Sequence, residues 1–216
     1  AISGLIDETG NKIGGFNRQS SPLNPPIFMN TLFPIFVKLD QLQTLIVGGG
    51  YVGLEKLTAV LANSPEAPVT LVAPEIRAEI HELAGQHPAV TLVLGTYQPY
   101  LLDGKDIVIA GTNDKAVNKQ VQVDCKARKI LVNVADTPPL CDFYLSSVVK
   151  KGDLKIAIST NGKSPTFAKR LREVLEEMLP DSLQETLDNL TAIRKQLTGD
   201  FQAKMDRLNE ITNVLK

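Results

Sequence analysis

Apolar residues occur along this chain in two textures: short unbroken runs, and longer stretches in which they recur every three or four positions. The runs at 44–47, 69–73, 90–94, 106–110 and 130–134 have the length and β-branched content of buried parallel strands. Between them, Val52, Leu57, Val60 and Leu61, then Ile76, Ile80 and Leu83, then Val117, Val121 and Cys125 fall at helical spacing. This alternation through short loops predicts an α/β fold, a Rossmann-like doubly wound parallel sheet.

After residue 142 the texture changes. Two strand-like runs, 143–149 and 154–159, flank Lys150 to Asp153 and read as a hairpin outside any βαβ repeat. A helix follows, with Ser164 as N-cap, Pro165 at its first position and Phe167, Leu171, Val174, Leu175 and Met178 on one face, ending at Pro180. An amphipathic tail then carries Leu183, Leu187, Leu190, Ile193, Leu197, Phe201, Leu208 and Ile211, with Gly199 as a candidate interruption. A lone hairpin is marginal in water, so this α+β element needs a partner surface. A second subunit would supply one, and docking on the chain's own sheet is the competing arrangement. The first residues, rich in Gly, Ser, Asn and Pro, show no periodicity and no secretory signal pattern. The expected divisions are a leader over 1–28, with Met29 as candidate start, a nucleotide-binding domain over 29–142, a dimerisation element over 143–180 and a helical region over 181–216.

Composition narrows the function classes. Lys+Arg 23 against Asp+Glu 24 leaves a net charge of -1, which offers no general attraction to nucleic acid or an anionic membrane. No apolar run reaches the roughly 18 residues of a membrane span. The two cysteines, Cys125 and Cys141, form no C-x-x-C and no cluster with His81 or His87, so no metal site is expected and a reducing, cytoplasmic setting fits.

The chemistry concentrates where strands end. Gly48, Gly50 and Gly53 make G-x-G-x-x-G between the first strand and a helix, a pattern that allows a sharp turn, close approach of a pyrophosphate and tight helix–strand packing. A purely structural glycine turn is the plainer reading. Glu75 stands 22 residues beyond Gly53, where an acidic residue commonly holds the adenosine ribose; a first-turn helix glutamate after Pro74 is the alternative. The fourth strand ends in Gly111, Thr112, Asn113 and Asp114, and the fifth in Ala135 and Asp136, on the edge where open sheets bind ligands. Asp136 reads either as a turn former before Pro138 or as an acid–base group.

The segments LFPIFVKLDQLQTLIVGGGYVGLEKL, TLVAPE, GTNDKAVNKQV, NVADTP, FYLSSVV and ISTNGKSPTFAKRLREVLEEMLP follow one another between Phe33 and about Pro180. Together they resemble the precorrin-2 dehydrogenase family, which includes the amino-terminal half of siroheme synthase. The resemblance implies NAD-dependent oxidation of precorrin-2 to sirohydrochlorin in siroheme biosynthesis, by a homodimer; some members also insert Fe2+ into the product. By position it implies that Gly48, Gly49, Gly50, Tyr51, Val52 and Gly53 contact NAD, as do Pro74 and Glu75, that Thr112 and Asn113 border it, and that Asp136 is the essential aspartate. Lys163, Lys169, Arg170 and Arg172 are candidates for the substrate's peripheral carboxylates, or else a solvated helix face. Thr160 stands where some relatives carry a serine that can be phosphorylated, so that modification is not expected here. The methyltransferase half of the fused synthases has no counterpart in this sequence. The competing function is a non-catalytic Rossmann module that senses NAD(H) or a tetrapyrrole, which would leave Asp136 without a role.

Overall fold

The five apolar runs become strands in a computed structural model that describes residues 30–198 and 201–212. The leader expected over 1–28, Met29 and the interruption at Gly199 lie outside the described residues. The chain divides into units 1–31 and 32–216, and every element below belongs to the second.

Strands β1 (Thr44–Val47), β2 (Val69–Ala73), β3 (Val90–Leu94), β4 (Ile107–Ala110) and β5 (Leu131–Val134) form one parallel sheet in the order β3-β2-β1-β4-β5. Helices α1 (Tyr51–Asn63), α2 (Ala78–Gln86) and α3 (Lys115–Arg128) connect them. All four residues of β1 are buried because both faces are covered, as a parallel sheet with crossover helices requires. Leu45 and Val47 join Val108, Val121, Cys125 and Val132 on the α3 side. Ile46 joins Leu57, Val60, Leu61, Leu71 and Ile80 on the α1 and α2 side.

Three boundaries shift from the apolar pattern, each for a local reason. Asp106 stays out of β4 because its Oδ2 accepts the Gln43 N–H (2.8 Å). Ile130 stays out of β5 because its N–H donates to Cys125 O (3.0 Å), completing the cap of α3 beyond Lys129, which is left-handed at φ 59°. Helix α2 begins at Ala78, not at Ile76, since Arg77 is extended (φ -61°, ψ 148°) and its N–H reaches back to Gly49 O (3.1 Å).

The hairpin is β6 (Ser147–Lys151) and β7 (Leu154–Ile158), antiparallel, closed by Gly152 (φ 58°) and Asp153. Its first strand starts later than the apolar run because Phe143 O accepts from Asn133 Nδ2 (2.8 Å) and remains with β5. Lys150 Nζ donates to Ala62 O (3.2 Å) and Lys155 Nζ to Asn63 O (2.9 Å), so the hairpin lysines cap the carbonyl end of α1. Helix α4 (Pro165–Met178) lies against β6, and α5 (Leu183–Gln196) and α6 (Phe201–Ile211) follow.

The outer edge of β5 is closed by side chains. Val132 N–H donates to Asp142 Oδ2 (3.1 Å), Val134 N–H to Cys141 Sγ (3.2 Å), and the Cys141 thiol donates back to Val134 O (3.2 Å). Lys126 pairs with the other Asp142 oxygen.

Asp114 caps α3, its Oδ1 accepting from Ala116 N–H (2.7 Å) and Val117 N–H (3.3 Å). Asp114→Ala is expected to lower unfolding free energy by about 1 kcal/mol, read as a lower urea midpoint at constant m-value; an unchanged midpoint refutes the cap's contribution.

Candidate active site

The strand order reverses between β1 and β4, so their carboxyl ends part and open a crevice. Gly48 (φ 127°), Gly49 and Gly50 leave β1 there, and Gly111 leaves β4. Each glycine has its own reason. A Cβ on Gly48 would come to 2.6 Å from Gly111 O; one on Gly49 would overlap Glu75 O, and one on Gly53 would overlap Gly48 O. A Cβ on Gly50 would meet nothing within 4 Å. Three of them therefore pack backbone on backbone, while Gly50 borders open space.

Gly50 N-caps α1 without any side-chain cap. The first-turn N–H groups and the positive end of the helix dipole are thus left to meet an anion. Val52 is fixed behind them, where a Cβ on Gly111 would come to 2.7 Å from its Cγ1. The residues present fit a dinucleotide's pyrophosphate: an uncapped helix start, and a glycine whose missing side chain leaves room.

Pro74 and Glu75 follow β2 as exposed residues on the same edge. Glu75 is not a first-turn glutamate; that position in α2 belongs to Glu79. The Glu75 carbonyl packs against Gly49, and the chain bends at Pro74 and Glu75 before α2 starts at Ala78, after the extended Arg77.

Thr112 sits in a small network that composition did not reveal. Its N–H and hydroxyl reach Asn118 Oδ1 (3.1 and 2.7 Å), and Asn118 Nδ2 donates to Thr112 O (2.9 Å). Asn118 is 6% exposed, so this loop is locked from beneath while Asn113 faces solvent. The available signal was a polar residue at 118 in register with the buried Val121 and Cys125.

Asp136 follows β5, held on the ligand edge by Ala135 N–H to Ala110 O (2.9 Å). Val134 O accepts the Thr137 N–H (3.2 Å), which makes Asp136 the third residue of a β-turn at φ 55°. That position favours Gly or Asn; a non-glycine residue there is strained, and such strain collects at functional sites. The turn STNGKSP lies beside it, since a Cβ on Gly162 would be 3.9 Å from Pro138 Cγ. Helix α4 thus begins near the Asp136 loop, with Lys169 and Arg170 exposed and Arg172 paired with Glu176 (3.2 Å).

Burial pushes the Cys125 thiol up to about 12 and raises Cys141 as well. Among the described residues no group of three or more His, Cys, Asp or Glu could hold a metal ion, and no helix is long and apolar enough to cross a membrane. A groove of about 750 Å³ lined by Phe36, Leu154, Leu187, Leu190 and Arg194 shares no residue with the glycine turn or the Asp136 loop.

Known proteins resemble this chain in sequence and fold. Residues 35–147, more than half of the chain, match the family model described as "Putative NAD(P)-binding". Residues 151–178 match that of the sirohaem biosynthesis protein central domain. The siroheme synthase of Psychrobacter sp. (strain PRwf-1) is 41% identical over 194 residues, 83% of this chain and 39% of that protein. That of Pseudoalteromonas translucida (strain TAC 125) is 38% identical over 174 residues, 81% of this chain and 36% of that protein. The chain spans between 31% and 39% of the length of the curated relatives it matches. Among solved structures, SirC, precorrin-2 dehydrogenase, superposes with a TM-score of 0.66 at 28% sequence identity, covering 84% of this chain and 89% of that one.

The glycines separate packing from binding. Gly53→Ala is expected to cost about 1–3 kcal/mol of stability through overpacking, whereas Gly50→Ala should stay within about 1 kcal/mol of the parent yet weaken NADH binding at least tenfold. Urea melts and NADH fluorescence titrations check both; a Gly50→Ala protein with unchanged affinity refutes the approach at that glycine.

Proposed function

The chain belongs to the "Putative NAD(P)-binding" family, and from that premise we propose that it oxidises precorrin-2 to sirohydrochlorin with NAD+. The observation that carries this reading is the juxtaposition, along one sheet edge, of an uncapped glycine-turn helix start and a strained, exposed aspartate.

The nicotinamide, when bound, supplies a hydride acceptor. The chain's own residues do the rest. First-turn N–H groups of α1, opened by Gly48, Gly49 and Gly50 and carried by Tyr51, Val52 and Gly53, hold the pyrophosphate. Pro74 and Glu75 border the adenosine ribose, and Thr112 and Asn113 border the cofactor on the β4 side. Asp136 takes the proton that leaves the macrocycle with the hydride. Neighbouring strands stand roughly 4.8 Å apart, so Asp136 on β5 and the glycine turn on β1 lie about two strand spacings apart, a span suited to a flat macrocycle placed beside β4. Lys163, Lys169, Arg170 and Arg172, at the start of α4, are assigned to the substrate's peripheral carboxylates. Iron insertion, with Fe2+ as substrate, would draw on the same carboxylate to remove pyrrole protons.

We assign 29–142 to the nucleotide-binding domain, 143–180 to dimerisation and 181–216 to a helical extension, and we place the protein in the cytoplasm, where its two free thiols stay reduced. The dimer is supported by α4. Phe167, Val174 and Met178 are 54%, 50% and 72% exposed and fall on one helical stripe, while Ala168, on another face, is buried. The hairpin's contact with α1 is polar and leaves that stripe for another subunit. A sensor that binds the same ligands without turnover is the competing reading, and an assay of the purified chain with precorrin-2 and NAD+, followed at the NADH absorbance, decides between them.

Asp136→Asn keeps the left-handed turn and removes the base. NADH formation should fall by about 10²–10⁴-fold with NAD+ affinity within about twofold; retained turnover refutes the base. Val174→Glu should convert a dimer into a monomer in sedimentation velocity, and a parent that already sediments as a monomer refutes the dimer.

A further inference from the structure

Arg77 occupies an unusual place at the ribose end of the crevice. Its N–H bond to Gly49 O (3.1 Å) pins it beside the glycine turn. Its guanidinium carbon lies 3.7 Å from the centroid of the Tyr51 ring, the first residue of α1. Nη2 donates to Glu79 Oε1 (2.6 Å), a bond that raises the Arg77 pKa and lowers that of Glu79, so both stay charged. Nε is buried and has no hydrogen-bond partner among the described residues.

Stability accounts for little of this arrangement: a guanidinium stacked on an exposed ring contributes about 0.5–1 kcal/mol. An exposed ion pair contributes roughly 0–1 kcal/mol, and a buried unpaired N–H opposes folding. Recognition does account for it. In dinucleotide sites an acidic residue after the second strand holds the ribose diol, whereas a nearby arginine accommodates a 2′-phosphate. This chain carries both within three positions, Glu75 and Arg77. Stacking on Tyr51 fixes the guanidinium plane, the pre-organisation that bidentate phosphate binding needs. Glu79 then occupies one donor and cancels the charge.

We propose that Arg77 is a latent 2′-phosphate receptor held closed by Glu79, so that the Arg77–Glu79 pair, together with Glu75, sets the choice of NAD over its 2′-phosphorylated form. This rests on the dinucleotide reading above and adds the residues that determine cofactor selectivity.

The test is equilibrium binding of NADH and NADPH to the full chain, followed by nucleotide fluorescence at low salt and at about 0.15 M ionic strength. The parent should prefer NADH. Glu79→Gln should tighten NADPH on the order of tenfold at low salt, less at higher salt, with NADH changed under about threefold. Adding Arg77→Met, which keeps the packed stem, should erase the gain; circular dichroism verifies the fold, and Arg77→Gln serves where the Met variant fails it. Unchanged NADPH affinity in a Glu79→Gln protein that binds NADH normally overturns the proposal, as does a gain that survives without Arg77. A parent that binds neither nucleotide overturns the dinucleotide reading itself, and this inference with it.

Discussion

Gly53 must lie against the Gly48 carbonyl, with no room for even a methyl group between helix and turn. That single approach fixes α1 relative to β1, and much else follows from it. It seats Val52 against Gly111, which ties the turn after β1 to the turn after β4. It aims the uncapped start of α1 along the sheet edge. It also sets where the far end of α1 emerges, and there Lys150 and Lys155 reach its last carbonyls. The nucleotide unit and the hairpin are therefore registered through the two ends of one helix.

Charge is used sparingly in the crevice. At the glycine turn the groups left to meet an anion are backbone N–H groups and a helix dipole, which cannot titrate. Ionisable groups sit to either side: Glu75, Arg77 and Glu79 beyond β2, and Asp136 beyond β5. The two groups are separated by the turns after β1 and β4. The Thr112–Asn118 hydrogen bonds between them involve no charged group.

Much of this was legible in the sequence because a parallel sheet buried on both faces writes itself as uninterrupted apolar runs, and a glycine fingerprint writes itself as spacing. All five strands and the helices through Leu57, Ile80 and Val121 stand where the pattern put them. The boundaries were less legible, since they depend on single hydrogen bonds from Asp106, Ile130 and Arg77 that apolar periodicity does not register. For Glu75 the first-turn alternative fails, because Pro74 suggests a helix start yet α2 begins only at Ala78, with Glu79 in its first turn. For Asp136 the two readings are not exclusive: it is a turn residue, and the turn is what presents its carboxylate. A pairing across elements, such as Arg77 on Tyr51, leaves no local signature, because it exists only once the start of α1 and the segment before α2 meet.

The closed margin of β5 has a consequence for how copies of this protein can associate. Cys141 and Asp142 take up the outward backbone groups of Val132 and Val134, so no foreign strand finds a ladder to extend there. Open-ended growth by sheet continuation is blocked on that flank. The Cys141 thiol is thus part of the sheet's margin, and a side chain there unable to accept a hydrogen bond would leave the Val134 N–H facing outward.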